Sequence, residues 1–240
     1  MESKFLATAL GQGPIHSLLL VLALVGMVLA VGIWIMEFSG WTISYKGFVR
    51  NGVKWDATTI ALIAVSAAVY IAGRPLQFQF IPGIGGFNPS LALAPVFSVL
   101  FGLPGAIGVT FSMPIGDAIS GALTLGSVAG FLSHTFVTWL PYKLVTSPNL
   151  REKGAIISFY LWAIIVGPII HATIIPGWLD FTHTLPPAVS WGVVTVSILI
   201  NHSLTAAIVS PILLGILHPI VKRRGLYWKD RLSTVMAKAA

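Results

Sequence analysis

No cysteine occurs in the 240 residues, so disulfides, thiolate metal sites and thiol catalysis are excluded. Charge is almost as scarce. Charged residues make up 9% of the chain, whereas a soluble domain uses about a quarter to solvate its surface. Only 7 residues are acidic. A chain this poor in charge has to turn much of its surface toward lipid. Nucleotide chemistry is missing too. Gly83-Ile84-Gly85-Gly86 and Thr124-Leu125-Gly126 lack the lysine and the strand–helix setting of a phosphate loop. There is no HExxH, no pair of carboxylates within the apolar segments, and no His–Asp arrangement set by spacing around Ser112 or Ser133. No enzyme is specified, and no resident cofactor or metal is called for.

What is present is hydrophobic length, with 56% of residues apolar. Crossing a bilayer core takes roughly 20 apolar residues in a helix. Seven stretches read as crossings: 15–36, 58–73, 88–102, 105–122, 124–146, 155–177 and 189–220. The third is short and holds Pro95; the fourth holds Pro114. The first is too long for a signal-peptide core and no small-x-small cleavage site follows, so it is expected to be retained.

Seven crossings with a cytoplasmic C-terminus put Lys46, Arg50, Lys54, Lys143, Arg151, Lys153, Lys222, Arg223, Arg224, Lys229, Arg231 and Lys238 inside. Lys4 and Arg74 alone fall outside. That is the asymmetry of a multi-pass plasma-membrane protein with its N-terminus outside. It also accounts for the net charge of +7 without nucleic acid, because basic residues flank the spans on the anionic leaflet. The expected organisation is an N-terminal helix with a basic loop (1–57), a six-helix membrane core (58–223) and a basic tail (224–240).

Within 58–73, Ala64, Ala68 and Ala72 recur every four residues. Lipid tails are as apolar as leucine, so small residues at this spacing serve close helix–helix approach. Two readings fit: packing within the chain, or docking of another membrane subunit. Arg74 ends this helix, where it either snorkels to the interface or meets an anionic group. The loop 75–90 alternates Leu76, Phe78 and Phe80 with Gln77 and Gln79, then bends at Pro82, Gly83, Gly85, Gly86 and Pro89. It suits either an interfacial loop or a lid over a site.

Polar residues form stripes on several spans. Thr110, Met113, Asp117 and Ser120 share one face; Gly126, Ser127, Gly130 and His134 another; His171 leads to Trp178; and Ser197, Asn201 and Thr205 lie beside His202. Asp117 is the one acidic residue inside a predicted span, and a carboxylate there has to face the protein interior. The stripes predict an outward-opening hollow lined by Asp117, His171 and Asn201, with walls from Trp178 and Trp191. His134, His171 and His202 allow a rival: neutral imidazoles can ligate a metal or haem, with His134 and His202 as an axial pair and Gly130 giving room. A third alternative is an assembly subunit of a larger membrane complex.

The segment 58–223 resembles the substrate-binding S component of energy-coupling factor transporters. The likeness lies in the alanine-striped first core helix, the long loop after it, and "NPSLALAPVFSVLFGLPGAIGVTFSMPIGDAISG" (88–121) with its "LFG-x-x-G" turn and terminal acid. "GFLSHTFVTWLPYKL" (130–144), running into a basic turn, adds to it. The helix 15–36 departs from the pattern. The resemblance implies a six-helix S-component-like bundle plus one N-terminal transmembrane helix. It implies capture of a vitamin-like small molecule from outside, in the outer half under the loop 75–90; Arg74, Asp117, His171, Trp178 and Asn201, singled out above from the residues themselves, are its expected contacts. It also implies a transmembrane coupling subunit, met by Ala64, Ala68 and Ala72, and two cytoplasmic ATPases.

Overall fold

The computed structural model describes residues 13–44, 47–76, 78–81 and 85–232, with backbone alone at 79–81 and 85–86. Lys4, Lys46 and Lys238 of the charge count, and Gln77, Pro82 and Gly83 of the loop, lie outside the described residues. Among the described residues the fold is all-α, 78% helical, in seven helices. These are α1 (Pro14–Phe38), α2 (Ala57–Gly73), α3 (Leu93–Phe101), α4 (Leu103–Ile119), α5 (Leu125–Leu144), α6 (Lys153–Phe181) and α7 (187–223). Two short antiparallel hairpins interrupt them, β1–β2 (Trp41–Ser44, Gly47–Arg50) and β3–β4 (Phe78–Ile81, Gly85–Phe87).

Helix length divides the bundle. Among the described residues three stretches are long and apolar enough to cross a membrane: α1, α6, and Val189–Leu232, which takes in all but the first two residues of α7. The helices α2 and α4 have 17 residues each, about 25 Å at a helical rise of about 1.5 Å per residue. The expected span 88–102 differs most from its prediction. It is a 3₁₀ turn (Pro89–Ala92) followed by the nine-residue α3. Asn88 caps the turn, its side chain accepting from the Ser90 amide at 3.1 Å. The turn ends inside the bundle, where the Ser210 hydroxyl of α7 donates to the Ala92 carbonyl at 2.9 Å. Gly102 ends α3 with φ of 67°. It has to be glycine on a second count, since a Cβ there would meet the Trp228 ring at 2.7 Å.

Basic residues from three parts of the chain gather at one end. Trp139 near the end of α5 donates to Glu37 at the end of α1. Lys229 donates to the Thr146 carbonyl at 2.7 Å, and Arg231 reaches Asp56 at 3.1 Å. Asp56 caps α2 by accepting from the Thr59 amide at 2.8 Å. That backbone bond, with Arg231 adding to it, holds the Asp56 carboxyl below its ordinary value. Burial lowers the Lys229 ammonium and pushes the Tyr227 phenol up to about 12. Arg74 lies at the opposite end.

The outward faces are apolar. Val28 of α1, Ile157 of α6 and Ile212 of α7 are 71%, 65% and 59% exposed, a surface water would not tolerate over so wide an area. The first helix packs on the core of this same chain. A Cβ at Gly26 would meet Ile174 of α6 at 2.7 Å, and one at Gly177 would collide with Ala23. The Trp34 indole donates to Thr135 of α5 at 2.7 Å.

Candidate functional site

On α2 the inward face is Leu62, Ser66 and Tyr70, all buried, and the next position in the same four-residue series is Arg74. Gly108 of α4 lets the two helices touch, since a Cβ there would meet the Ile63 carbonyl oxygen at 2.5 Å. The Arg74 guanidinium donates to Asp117 of α4 at 2.5 Å, in a partly buried pair. A second bond goes to the Met113 carbonyl at 3.4 Å. Gly116 makes the cradle, because a Cβ there would collide with that guanidinium. The carboxylate thus has a counter-ion from its own chain, an arrangement that lowers the cost of burying either charge.

One turn inward, the Tyr70 hydroxyl lies 3.1 Å from His134 Nε2 of α5. His134 is packed against His171 of α6 and His202 of α7, with ring centroids 5.3 and 5.7 Å away. His171 and His202 are 4.4 Å apart. All three are buried, and one ring nitrogen from each lies within 4.8 Å of the others. Nδ1 of His134 and Nδ1 of His171 have no hydrogen-bond partner. Buried polar atoms are nearly always paired, so two orphans in one cluster need a reason.

The backbone around the cluster is unusual as well. His202 lies within a π-helical turn, Ile200–Leu204. A second π turn, Tyr160–Val166, ends just before Gly167-Pro168 and His171. Such widened turns are rare and concentrate at functional sites. Strand β4 lies against the turn that carries His202. Gly130, one turn from His134 on α5, is buried, yet a Cβ there would meet nothing within 4 Å. Open space therefore exists at Gly130, one turn before His134 on the same helix.

The residues singled out from sequence fall into four groups. Arg74 and Asp117 are joined directly. His171 belongs to the histidine cluster. Asn201, next to His202, donates to Ser197 at 3.3 Å. Trp178 is half-buried and donates to the Leu125 carbonyl at 2.8 Å, while Trp191 donates to Asp180 at 2.8 Å. These indoles tie helix ends together rather than facing a shared hollow. A cavity of about 360 Å³ does open, but at the basic end, by Asp56, Tyr142, Trp228 and Arg231. A second, more open one of about 520 Å³ lies at the opposite end by Pro114, Leu125 and Phe131. Neither is lined by Arg74, Asp117, His171, Trp178 or Asn201.

The haem alternative meets a steric obstacle. His171 stands beside the line from His134 to His202, where the plane of a macrocycle would have to extend. The alanine face, by contrast, is open: Ala64, Ala68 and Ala72 are all exposed, and the packed face of α2 is a different one.

Sequence reasoning missed Tyr70, Glu37, Asp180 and His16. Tyr70 was findable, since Ser66, Tyr70 and Arg74 form their own four-residue series. Glu37 and Asp180 sit just past the ends of the expected spans, where a carboxylate reads as solvated. Asp180 instead takes bonds from His16 at 2.6 Å and from Trp191. No protein-family model, curated protein or solved structure matches the chain.

Proposed function

We propose that this protein is a membrane-embedded capture subunit of an uptake system, of the S-component kind. It binds a small solute near Tyr70 and the histidine cluster and hands it to a transmembrane coupling subunit driven by cytoplasmic ATPases. The observation that carries the reading is the two-faced α2. One face supplies Tyr70 and Arg74 to a closed polar centre, and the other offers Ala64, Ala68 and Ala72 as a bare strip. A helix so built lets a partner sense the site through a single rigid element, because small residues permit the close sliding approach that bulky ones prevent. The β3–β4 hairpin fits the part of a roof that opens for entry. The basic end faces the cytoplasm in this reading and Arg74 the outside.

The docking half is tested by Ala68→Leu. Tagged wild type, purified from membranes of the source cell, should bring down a polytopic subunit together with P-loop ATPases. Ala68→Leu should lose both while melting at the same temperature. Identical purification of a lone chain in both cases would end the proposal. The orientation is tested separately on this naturally cysteine-free chain. Single cysteines at Thr146 and Leu123 should react from opposite sides of the membrane, and labelling of both from outside would reject it.

A further inference from the structure

We infer that His134, His171 and His202 form a binding site for a first-row transition-metal ion, held by three imidazoles inside the helix bundle. The inference deepens the capture reading by naming a class of cargo, and rests on that reading only for the ion's passage, not for its binding. Three helices each bring one histidine to the same point, and the ligand atoms already lie within 4.8 Å of one another. Tetrahedral coordination with metal–nitrogen bonds of about 2.0–2.1 Å sets the nitrogens about 3.4 Å apart. Small ring rotations close that gap, with open space at Gly130, one turn before His134 on the same helix.

The hydrogen-bond pattern shows which nitrogens of two of the rings are free to bind. If His134 donates Nε2–H to the Tyr70 oxygen, its Nδ1 carries the free lone pair, and Nδ1 is the atom left without a partner. An outer partner that fixes the tautomer of a ligating histidine is the usual companion of a metal site. The unpartnered Nδ1 of His171 is explained by the same ion.

Ligand chemistry narrows the occupant. Imidazole suits zinc, nickel, cobalt and copper; magnesium and calcium require oxygen donors. The ligand group contains no carboxylate, and the nearby Asp117 is committed to Arg74. A divalent ion would therefore keep its full charge in an apolar bundle unless a hydroxide filled its open position. The uncompensated charge weakens the hold on the ion relative to a closed, charge-matched site, which suits an ion in transit more than a structural one. Three histidines with one open position match the donor count of open rather than closed zinc centres.

The test is Co²⁺ titration of the full-length chain in detergent, with any affinity tag removed, followed by its visible spectrum. One Co²⁺ per chain is expected, with the intense absorption of four-coordinate cobalt, displaced by Zn²⁺. His171→Ala and His202→Ala should each weaken binding by at least about 100-fold, and Tyr70→Phe by about 10-fold. His183→Ala and His218→Ala, outside the cluster, should leave it unchanged. Circular dichroism and a melting curve establish that each variant is folded. Absence of stoichiometric Co²⁺ binding by folded wild type would overturn the inference, as would binding that survives His171→Ala. Because the titration uses the isolated chain, its failure leaves the co-purification result standing, and the reverse also holds.

Discussion

Glu37 and His171 are both sealed inside the bundle, yet their surroundings differ in kind. Glu37 Oε1 accepts from Thr42 at 2.5 Å and from Trp139 at 2.7 Å, and Oε2 from Asn51 at 3.2 Å. Asn51 also holds the Glu37 carbonyl at 2.8 Å. Each donor comes from a separate place: the β1 strand, the segment after β2, and α5. This cluster is a completed staple joining α1 and its hairpin to the core. The histidine cluster joins as many elements and leaves two ring nitrogens empty-handed. A fully satisfied buried network rigidifies a fold, whereas a partly satisfied one costs stability and persists where something else is gained. The difference separates the part of the molecule built to stay closed from the part built to receive.

The largest effect expected is at the staple. Glu37→Ala strands the Thr42 hydroxyl and the Trp139 indole and takes one of two bonds from the Asn51 amide; each unsatisfied buried donor costs about 1–3 kcal/mol, so a loss of at least about 2 kcal/mol should appear in detergent unfolding curves. At the other cluster, His171→Leu removes an unpartnered polar atom and replaces it with apolar volume. Its cost should stay within about 1 kcal/mol. Equal losses at the two positions would erase the contrast and make the histidines ordinary structural residues.

The Arg74–Asp117 pair falls between these extremes, because both side chains retain some exposure, 29% and 14%. Asp117→Asn keeps the shape and removes the charge, and should cost about 2 kcal/mol, the scale of a charged hydrogen bond. Gly116→Ala should produce a similar loss by pushing the guanidinium out of its cradle. Residues this close are not additive. Combining Arg74→Gln with Asp117→Asn should therefore cost less than the sum, and strict additivity in the measured midpoints would show that the pair contributes nothing as a pair.

The contrast between the clusters also marks where sequence reading succeeds. Helix α2 was legible almost completely: the apolar run, the alanine series, the stop at Arg74-Pro75. These are local patterns, set by spacing along one helix. The span 88–102 was legible as apolar but not as a half-length helix, because what shortens it is the contact of Ala92 with Ser210 on α7. His134, His171 and His202 were each visible within a span, and a pairing of His134 with His202 was allowed for, but the convergence of all three on one point was not fixed by spacing. Convergence depends on the rotation of α5, α6 and α7 about their own axes, and the π turns alter that rotation without any pattern in composition to announce them. Glu37 shows the same limit from the other side. Its position after the apolar run suggested an interface, and partners up to 102 residues away in sequence buried it.

The smallest effect expected is at the basic end, where the contacts are exposed and titratable. Asp56 caps α2 through the Thr59 amide, and that bond, aided by Arg231, lowers the folded carboxyl below its ordinary 3.8. The unfolded carboxyl titrates near that ordinary value. The contribution of the charged form is therefore complete above about pH 4 and is lost as the pH falls through the lower folded value. Asp56→Asn retains a capping oxygen, since asparagine caps about as well as aspartate, but carries no proton-linked charge. Wild type should show a shallow decline in melting temperature on acidification below pH 4, and the variant a flatter one, with the two nearly equal at the acid extreme. Parallel acid limbs would place the titrating group elsewhere and leave Asp56 as a neutral cap whose link to Arg231 adds nothing.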